Sequence, residues 1–178
     1  MALAPPVSTL SGRKQAASKM KATAGPIPVK VEHRIGVQAP PEVVWELVYD
    51  LAGWSSWNPL HRSAEGEIRI GGRLLTTEAL PGLPERPATF QVMEWVPLEQ
   101  LHLRNAALGG WVKSIRYVEI EQLSEAACIV STGEIFAQSL LTSLHLRRNR
   151  RPLRLGFTAH GEALKAEAEA RWRARNPT

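Results

Sequence analysis

The sequence predicts an α+β fold in which a seven-stranded antiparallel sheet packs against one C-terminal helix. A strand-like segment near residue 30 is followed by a tryptophan-rich helical segment. Six further strand-like segments are joined by short turns, and such sequential hairpins are typical of an antiparallel meander. The C-terminal segment carries apolar residues at helical spacing, so a helix is available to cover the apolar face of the sheet.

The first strand is predicted over residues 29–37, because side chains of two kinds alternate there. Its more apolar face consists of Val29, Val31, His33, Ile35 and Val37. A helix should follow from Pro40 and Pro41, since proline is tolerated in the first helical turn. Gly53 can adopt the left-handed conformation that ends a helix, and residues 54–59 then form a tryptophan-rich corner.

The other strands are predicted where alternating segments stand between turn-forming residues. They cover residues 60–70, 73–78, 88–95, 100–106, 112–122 and 127–136. Residues 81–87 contain three prolines and are predicted to form a loop, because proline cannot donate a hydrogen bond inside a sheet.

The C-terminal helix is predicted to begin at Pro152 and to run for about five turns. Its buried stripe is expected to contain Leu153, Phe157, Gly161, Leu164 and Ala168. Leucines at positions 140, 141, 144 and 146 predict a separate short helix before it.

The basic character of the chain is concentrated at its N-terminus. Residues 1–31 carry five basic residues and no acidic residue, which equals the net charge of +5 of the whole chain. The remaining residues are balanced in charge, so we predict no nucleic-acid partner. Residues 1–26 show no apolar periodicity and are predicted to be a disordered basic extension before a single domain at 27–174.

Two locations fit this composition. The chain has no apolar run long enough for a transmembrane helix and no apolar core of a secretory signal, which favours the cytoplasm. An acid-free, serine-containing basic N-terminus is also typical of an organellar transit peptide, which is the alternative.

The common enzyme signatures are absent from the sequence. It contains no nucleophile elbow, phosphate-binding loop, zinc-binding helix or dinucleotide fingerprint. Cys128 is the only cysteine, and the five histidines have no metal-ligand spacing. We therefore predict no cofactor and no metal site.

Several polar residues fall at positions where the strand alternation points inward. Arg116 shares a face with Val118 and Ile120, while Thr132 and Glu134 share a face with Val130. The short hairpin between these strands should bring Arg116 within cross-strand reach of Glu134. Buried charges need partners, so the pair either orients a ligand's polar group or is a structural ion pair.

A set of residues spread over roughly 29–173 resembles the START-like (SRPBCC) superfamily, in its polyketide cyclase/dehydrase branch. The set comprises Ala39-Pro40, Val44-Trp45, Asp50, Trp54, Trp57-Asn58-Pro59, Gly72, Pro97, Glu134, Phe136, Gly156-Phe157 and Ala163-Leu164-Lys165. The resemblance implies a helix-grip fold, with a deep apolar cavity between a curved sheet and the C-terminal helix. It also implies that the first and last strands are neighbours, which would bring His33 beside the polar residues.

The residues that face this implied cavity form the predicted ligand-binding set. It comprises Arg116, Val118, Ile120, Val130, Thr132, Glu134, Phe157, His160, Gly161 and Leu164. His33, Glu134 and His160 are the candidates for proton transfer, although the pattern favours a core histidine over a catalyst for His33 alone.

The leading functional hypothesis is a carrier or sensor that binds a hydrophobic small molecule or lipid. A cyclase or dehydratase acting on an aromatic or polyketide-like substrate is the alternative, and an adaptor that uses the basic tail is a third. The arginine-rich segment 147–154 either contacts acidic lipid head groups in a peripheral membrane interaction or is a solvated surface.

Overall fold

The computed structural model describes residues 28–177, so the predicted basic extension lies outside the described residues. The strands are β1 (Val29–Val37), β2 (His61–Gly66), β3 (Arg73–Glu78), β4 (Arg86–Val96), β5 (Gln100–Ala107), β6 (Val112–Ser124) and β7 (Ala127–Phe136). The helices are α1 (Pro41–Tyr49), α2 (Trp54–Trp57) and α3 (Leu140–Arg175), with a 3-10 turn at Leu108–Gly110.

All seven strands form one antiparallel sheet in the order β1-β7-β6-β5-β4-β3-β2. Strands β2 to β7 pair in chain order because short connections join them. The corner α1–α2 instead carries the chain from β1 at one edge to β2 at the other, and the last strand closes against the first. The predicted α+β helix-grip fold is thereby confirmed.

Several strand boundaries differ from the prediction, and two of these differences have a clear physical reason. Strand β2 ends at Gly66, which has a φ of 130° and lies so close to β3 that a Cβ would be 2.1 Å from the carbonyl oxygen of Arg73. Strand β4 begins at Arg86 and includes Pro87, which was expected in a loop. Pro87 pairs with Thr77 of β3 on one side only, because the pairing of β4 with β5 begins at Phe90. On its other side, therefore, no strand needs the N–H group that proline lacks.

The prediction that the C-terminal helix begins at Pro152 is wrong. One helix of 36 residues runs from Leu140 with Pro152 inside it, and the separate short helix is its first part. Ser139 caps the helix by accepting a hydrogen bond from the backbone N–H of Thr142 at 3.0 Å. This cap, rather than the proline, sets the start, and the helix has about ten turns instead of five.

The helix and sheet bury two apolar clusters. The α1-side cluster contains Val44, Leu47, Phe90, Ile120, Val130, Leu164 and Ala168 among its members. The Phe157-side cluster contains Val31, Leu60, Leu80, Val112, Phe136, Leu146, Leu153 and Phe157. All five residues of the predicted helical stripe are buried, which confirms the face of α3 that meets the sheet.

Candidate ligand-binding site

Arg116 of β6 is buried where the two apolar clusters meet. Its guanidinium carbon lies 4.9 Å from the ring centre of Phe90 and 5.4 Å from that of Phe157. Glu134 stands directly opposite on β7, and Arg116 Nη2 donates to its Oε2 at 2.6 Å. Ser114 donates to the other carboxylate oxygen. The cross-strand pair predicted from the alternation is thus present and fully buried.

A second carboxylate, Glu78 of β3, completes this charge network. Arg116 Nη2 lies 2.7 Å from Glu78 Oε1, while Arg86 Nε donates to Glu78 Oε2 at 2.7 Å. Glu78 is not among the site residues predicted from the sequence. The alternation of β3 nevertheless gave a signal for it, because Glu78 shares the inward face of this strand with buried Leu74 and Thr76.

The network favours the charged forms of Glu78 and Arg116. Burial alone would raise the pKa of Glu78, but Arg116 and Arg86 outweigh it and lower that pKa to about 2. Burial alone would lower the pKa of Arg116, but the neighbouring Glu134 and Glu78 raise it. The formal charges of the two arginines and the two carboxylates balance in this group.

His61 of β2, which is likewise absent from the predicted site residues, lies beside the arginine. Arg116 Nη1 stands 3.4 Å from His61 Nε2, and a guanidinium can only donate, so this nitrogen accepts. Burial, followed by the nearby Arg116, holds the pKa of His61 well below its usual value. The neutral ring therefore carries its proton on Nδ1, which is buried and has no hydrogen-bond partner.

The two predicted histidines occupy different surroundings. His160 of α3 stacks on Trp57 with ring centres 5.5 Å apart, and its Nδ1 is buried without a partner. Burial, together with Arg116 and His33, lowers the pKa of His160 to about 4. His33 instead lies against Gly161, where an added Cβ would be 2.6 Å from its ring.

A small cavity of about 30 Å³ adjoins these groups. It is lined by Trp54, Leu60, His61, Leu101, Leu103, Arg116, Tyr117, Val118, Thr132, Phe157 and His160. Five of the lining residues belong to the predicted ligand-binding set, namely Arg116, Val118, Thr132, Phe157 and His160.

The other predicted residues lie elsewhere in the core. Ile120, Val130 and Leu164 are packed in the α1-side cluster, and Glu134 is held by Arg116 and Ser114. Gly161 serves the close approach of α3 to β1. The alternation identified inward-facing residues, but how closely the helix packs along the sheet decides which of them border a cavity.

Within residues 28–177 no group of three His, Cys, Asp or Glu side chains is arranged to hold a metal ion. In the same part of the chain, no helix has both the length and the apolar character needed to cross a bilayer.

The fold is similar to several solved structures. The aromatase/cyclase Zhui from Streptomyces sp. R1128 is 18% identical, with a TM-score of 0.70 over 85% of this chain and 100% of that chain. Norcoclaurine synthase from Thalictrum flavum is 11% identical, with a TM-score of 0.60 over 91% and 97%. A START superfamily protein from Mycobacterium smegmatis is 16% identical, with a TM-score of 0.58 over 83% and 99%. At these identities the likeness concerns the fold.

A comparison with curated proteins finds no match. The family model described as polyketide cyclase / dehydrase and lipid transport matches residues 28–135, more than half of the chain. Together with the helix-grip architecture, this match shows that the chain belongs to the polyketide cyclase/dehydrase and lipid transport family.

Proposed function

We propose that the protein binds a hydrophobic small molecule or lipid between α3 and the sheet, with the ligand's polar group at His61 and His160. One observation carries the proposal. Both rings line the same cavity, and each has a buried Nδ1 without a partner. Buried polar atoms are almost always hydrogen-bonded, so two open positions beside one cavity favour a ligand there.

The charges around the cavity restrict the chemistry of that polar group. Arg116 and Arg86 are balanced by Glu78 and Glu134, and burial keeps the histidines neutral. A ligand carboxylate would add an uncompensated buried charge, which is costly. A carbonyl or hydroxyl group avoids that cost, and the Nδ1–H of His61 is a suitable donor for either.

The cavity must enlarge to hold such a ligand. Its volume of about 30 Å³ is that of roughly one water molecule, whereas ligand pockets measure about 300–1,000 Å³. One wall is formed by Trp54 of α2 and by Phe157 and His160 of α3, and the other by the sheet. Binding therefore requires the helices to move away from the sheet.

The enzymatic alternative would need a group that transfers a proton. Glu134 is occupied by Arg116 and Ser114, and His33 packs on Gly161 without lining the cavity. His160 does line it, but a pKa of about 4 makes it a weak base at neutral pH. These surroundings favour hydrogen bonding over catalysis, so binding remains our proposal.

Titration with the uncharged fluorescent probe Nile red tests the proposal. We expect micromolar-range affinity, on the order of −8 kcal/mol. Val118→Phe fills the cavity and should weaken binding at least about tenfold, equivalent to roughly 1.4 kcal/mol. The matched control Ile115→Phe lies on the same strand, on its exposed opposite face, and should leave the affinity unchanged.

Native mass spectrometry of the purified protein provides the second measurement. A co-purifying neutral lipid or aromatic compound, lost in Val118→Phe while cooperative melting persists, would support the proposal. Equal probe affinity in Val118→Phe and wild-type protein would contradict it.

A further inference from the structure

Four large apolar side chains at one end of the domain are each more than 60% exposed. They are Leu108 and Trp111 in the β5–β6 connection and Leu140 and Leu144 in the first turns of α3. Trp111 is 73% exposed and Leu140 is 87% exposed. The two segments adjoin, because Ala137 N donates to the carbonyl oxygen of Lys113 at 3.0 Å, and Trp111 and Ser139 line one surface groove.

The first half of α3 continues this surface with a basic stripe. Leu140, Leu144, Arg148, Arg151 and Leu155 follow one another at spacings of three or four, and all are exposed. Residues at this spacing lie on one helix face. The helix carries five arginines before its first acidic residue, Glu162. An exposed face that combines leucine with arginine is typical of helices that lie at a membrane interface.

Further basic residues flank the stripe in a groove between α3 and the edge strand β1. The groove has a volume of about 700 Å³ and is lined by Lys30, Ser143, Arg147, Arg150, Arg151 and Arg154, among others. Its one acidic residue, Glu32, is paired with Lys30 at 2.6 Å. Val29, near the start of the described residues, also lines this groove.

We propose that this end of the domain docks on the surface of an anionic lipid membrane. Leu140, Leu144 and Leu108 would enter the head-group region, and Trp111 would lie at the interface, where tryptophan is enriched. The arginines would contact lipid phosphates and carboxylates. The proposal rests on exposed residues alone and does not depend on a ligand in the cavity.

The apolar residues distinguish a membrane from nucleic acid. Arginines alone would suit a phosphate backbone, but exposed leucines at Leu140 and Leu144 gain nothing from it. A bilayer accommodates the leucines and the arginines together, since its head groups are charged and its acyl region is apolar.

Cosedimentation of the full chain with lipid vesicles tests the proposal. Vesicles of phosphatidylcholine with about one third phosphatidylserine should bind at least about tenfold more protein than pure phosphatidylcholine, because surface charge attracts the arginines. Raising the salt concentration should weaken the binding.

Two double variants separate the apolar and the basic contributions. Leu140→Ser/Leu144→Ser and Arg148→Gln/Arg151→Gln should each reduce vesicle binding about tenfold or more. The matched controls are Leu123→Ser, exposed next to the β6–β7 turn at the opposite end of the sheet, and Arg173→Gln near the end of α3. Both controls should bind like the wild type, and all variants should keep their circular dichroism spectrum.

Three results would overturn the proposal. The first is no binding to anionic vesicles. The second is binding that the leucine variant leaves unchanged, which indicates charge attraction without insertion. The third is binding of single-stranded RNA that the arginine variant abolishes, with no vesicle binding by the wild type. Nile red binding in the absence of vesicles reports on the cavity separately, so failure of this proposal is distinguishable from failure of the proposed function.

Discussion

Two adjacent groups of buried polar residues have opposite character. In the charged group, Arg116 is held between Glu78 and Glu134, and each carboxylate lies within 2.7 Å of it. In the neutral group, His61 and His160 each retain a buried nitrogen without a partner. The groups touch, since Arg116 Nη1 lies 3.4 Å from His61 Nε2.

Because of this difference, the charged group and the neutral group should contribute to different properties, namely stability and ligand recognition. The charged residues are matched by the protein itself, so removing one leaves another buried and uncompensated. Each histidine has one buried ring nitrogen without a hydrogen-bond partner, so this nitrogen is available to a ligand or a water molecule. We therefore expect the charged group to govern folding and the histidines to govern binding, and the first two of the three measurements below probe that division.

Replacing the central arginine should have the largest effect. Arg116→Met leaves Glu78 and Glu134 buried without their shared partner and should lower the free energy of unfolding by roughly 3–5 kcal/mol or more at pH 7. Urea denaturation measures the change. The control Arg86→Met removes an arginine that binds the same Glu78 but whose side chain is 43% exposed, so it should cost much less.

The triple variant Arg116→Met/Glu78→Gln/Glu134→Gln should recover part of the lost stability, because no unpaired charge remains buried. A small effect of Arg116→Met with unchanged cooperativity would contradict the assignment of this group to the fold.

Acid should destabilise the two groups in different pH ranges. The native pKa of His160 is about 4, below its ordinary 6.5, so the unfolded chain binds the proton first and stability falls as the pH drops from 6.5 to 4. The native pKa of Glu78 is about 2, below its ordinary 4.5, so its contribution is lost only as the pH drops from 4.5 to 2.

His160→Gln should therefore reduce the stability lost between pH 7 and pH 4.5 by about 2–3 kcal/mol, since one pKa unit corresponds to about 1.4 kcal/mol. Urea denaturation at a series of pH values measures it. The loss of stability between pH 4.5 and pH 2, which comes from Glu78, should persist in this variant and serves as the internal control. An unaltered slope above pH 4.5 would show that His160 titrates normally in the native state.

The smallest effect concerns His33, which belongs to neither group. Gly161→Ala would place a Cβ 2.6 Å from its ring, so overpacking should cost about 1–3 kcal/mol. The sign of the stability change distinguishes overpacking from helix propensity, because alanine is otherwise the better helix former by about 1 kcal/mol. Thermal melting should show that Gly161→Ala destabilises the wild type but not the His33→Ala variant. Stabilisation in both backgrounds would place His33 away from the helix.

The resemblance to the START-like family added what local patterns could not supply. It implied that the first and last strands are neighbours, which the pairing of β1 with β7 confirms. Hairpin lengths alone give no information on a connection that spans the sheet, because the corner α1–α2 runs from β1 at one edge to β2 at the other.

The sequence by itself determined the contacts that are local along the chain. Strand alternation and a short turn were enough to predict Arg116 within cross-strand reach of Glu134, and helical spacing was enough to identify the buried face of α3. It misplaced the start of α3 because Pro152 is the more conspicuous signal, whereas Ser139 and its hydrogen bond to Thr142 form the actual cap.

Tertiary structure alone decided the contacts between distant strands and the space left among them. Glu78 and His61 reach Arg116 because β2 and β3 approach β6 through the shape of the whole sheet, which no periodicity records. Ile120, Val130 and Leu164 fill the α1-side cluster, while Val118 and Phe157 border the cavity. Alternation gives the direction of each side chain, but close packing of helices on the sheet decides which inward-facing residues leave room for a ligand.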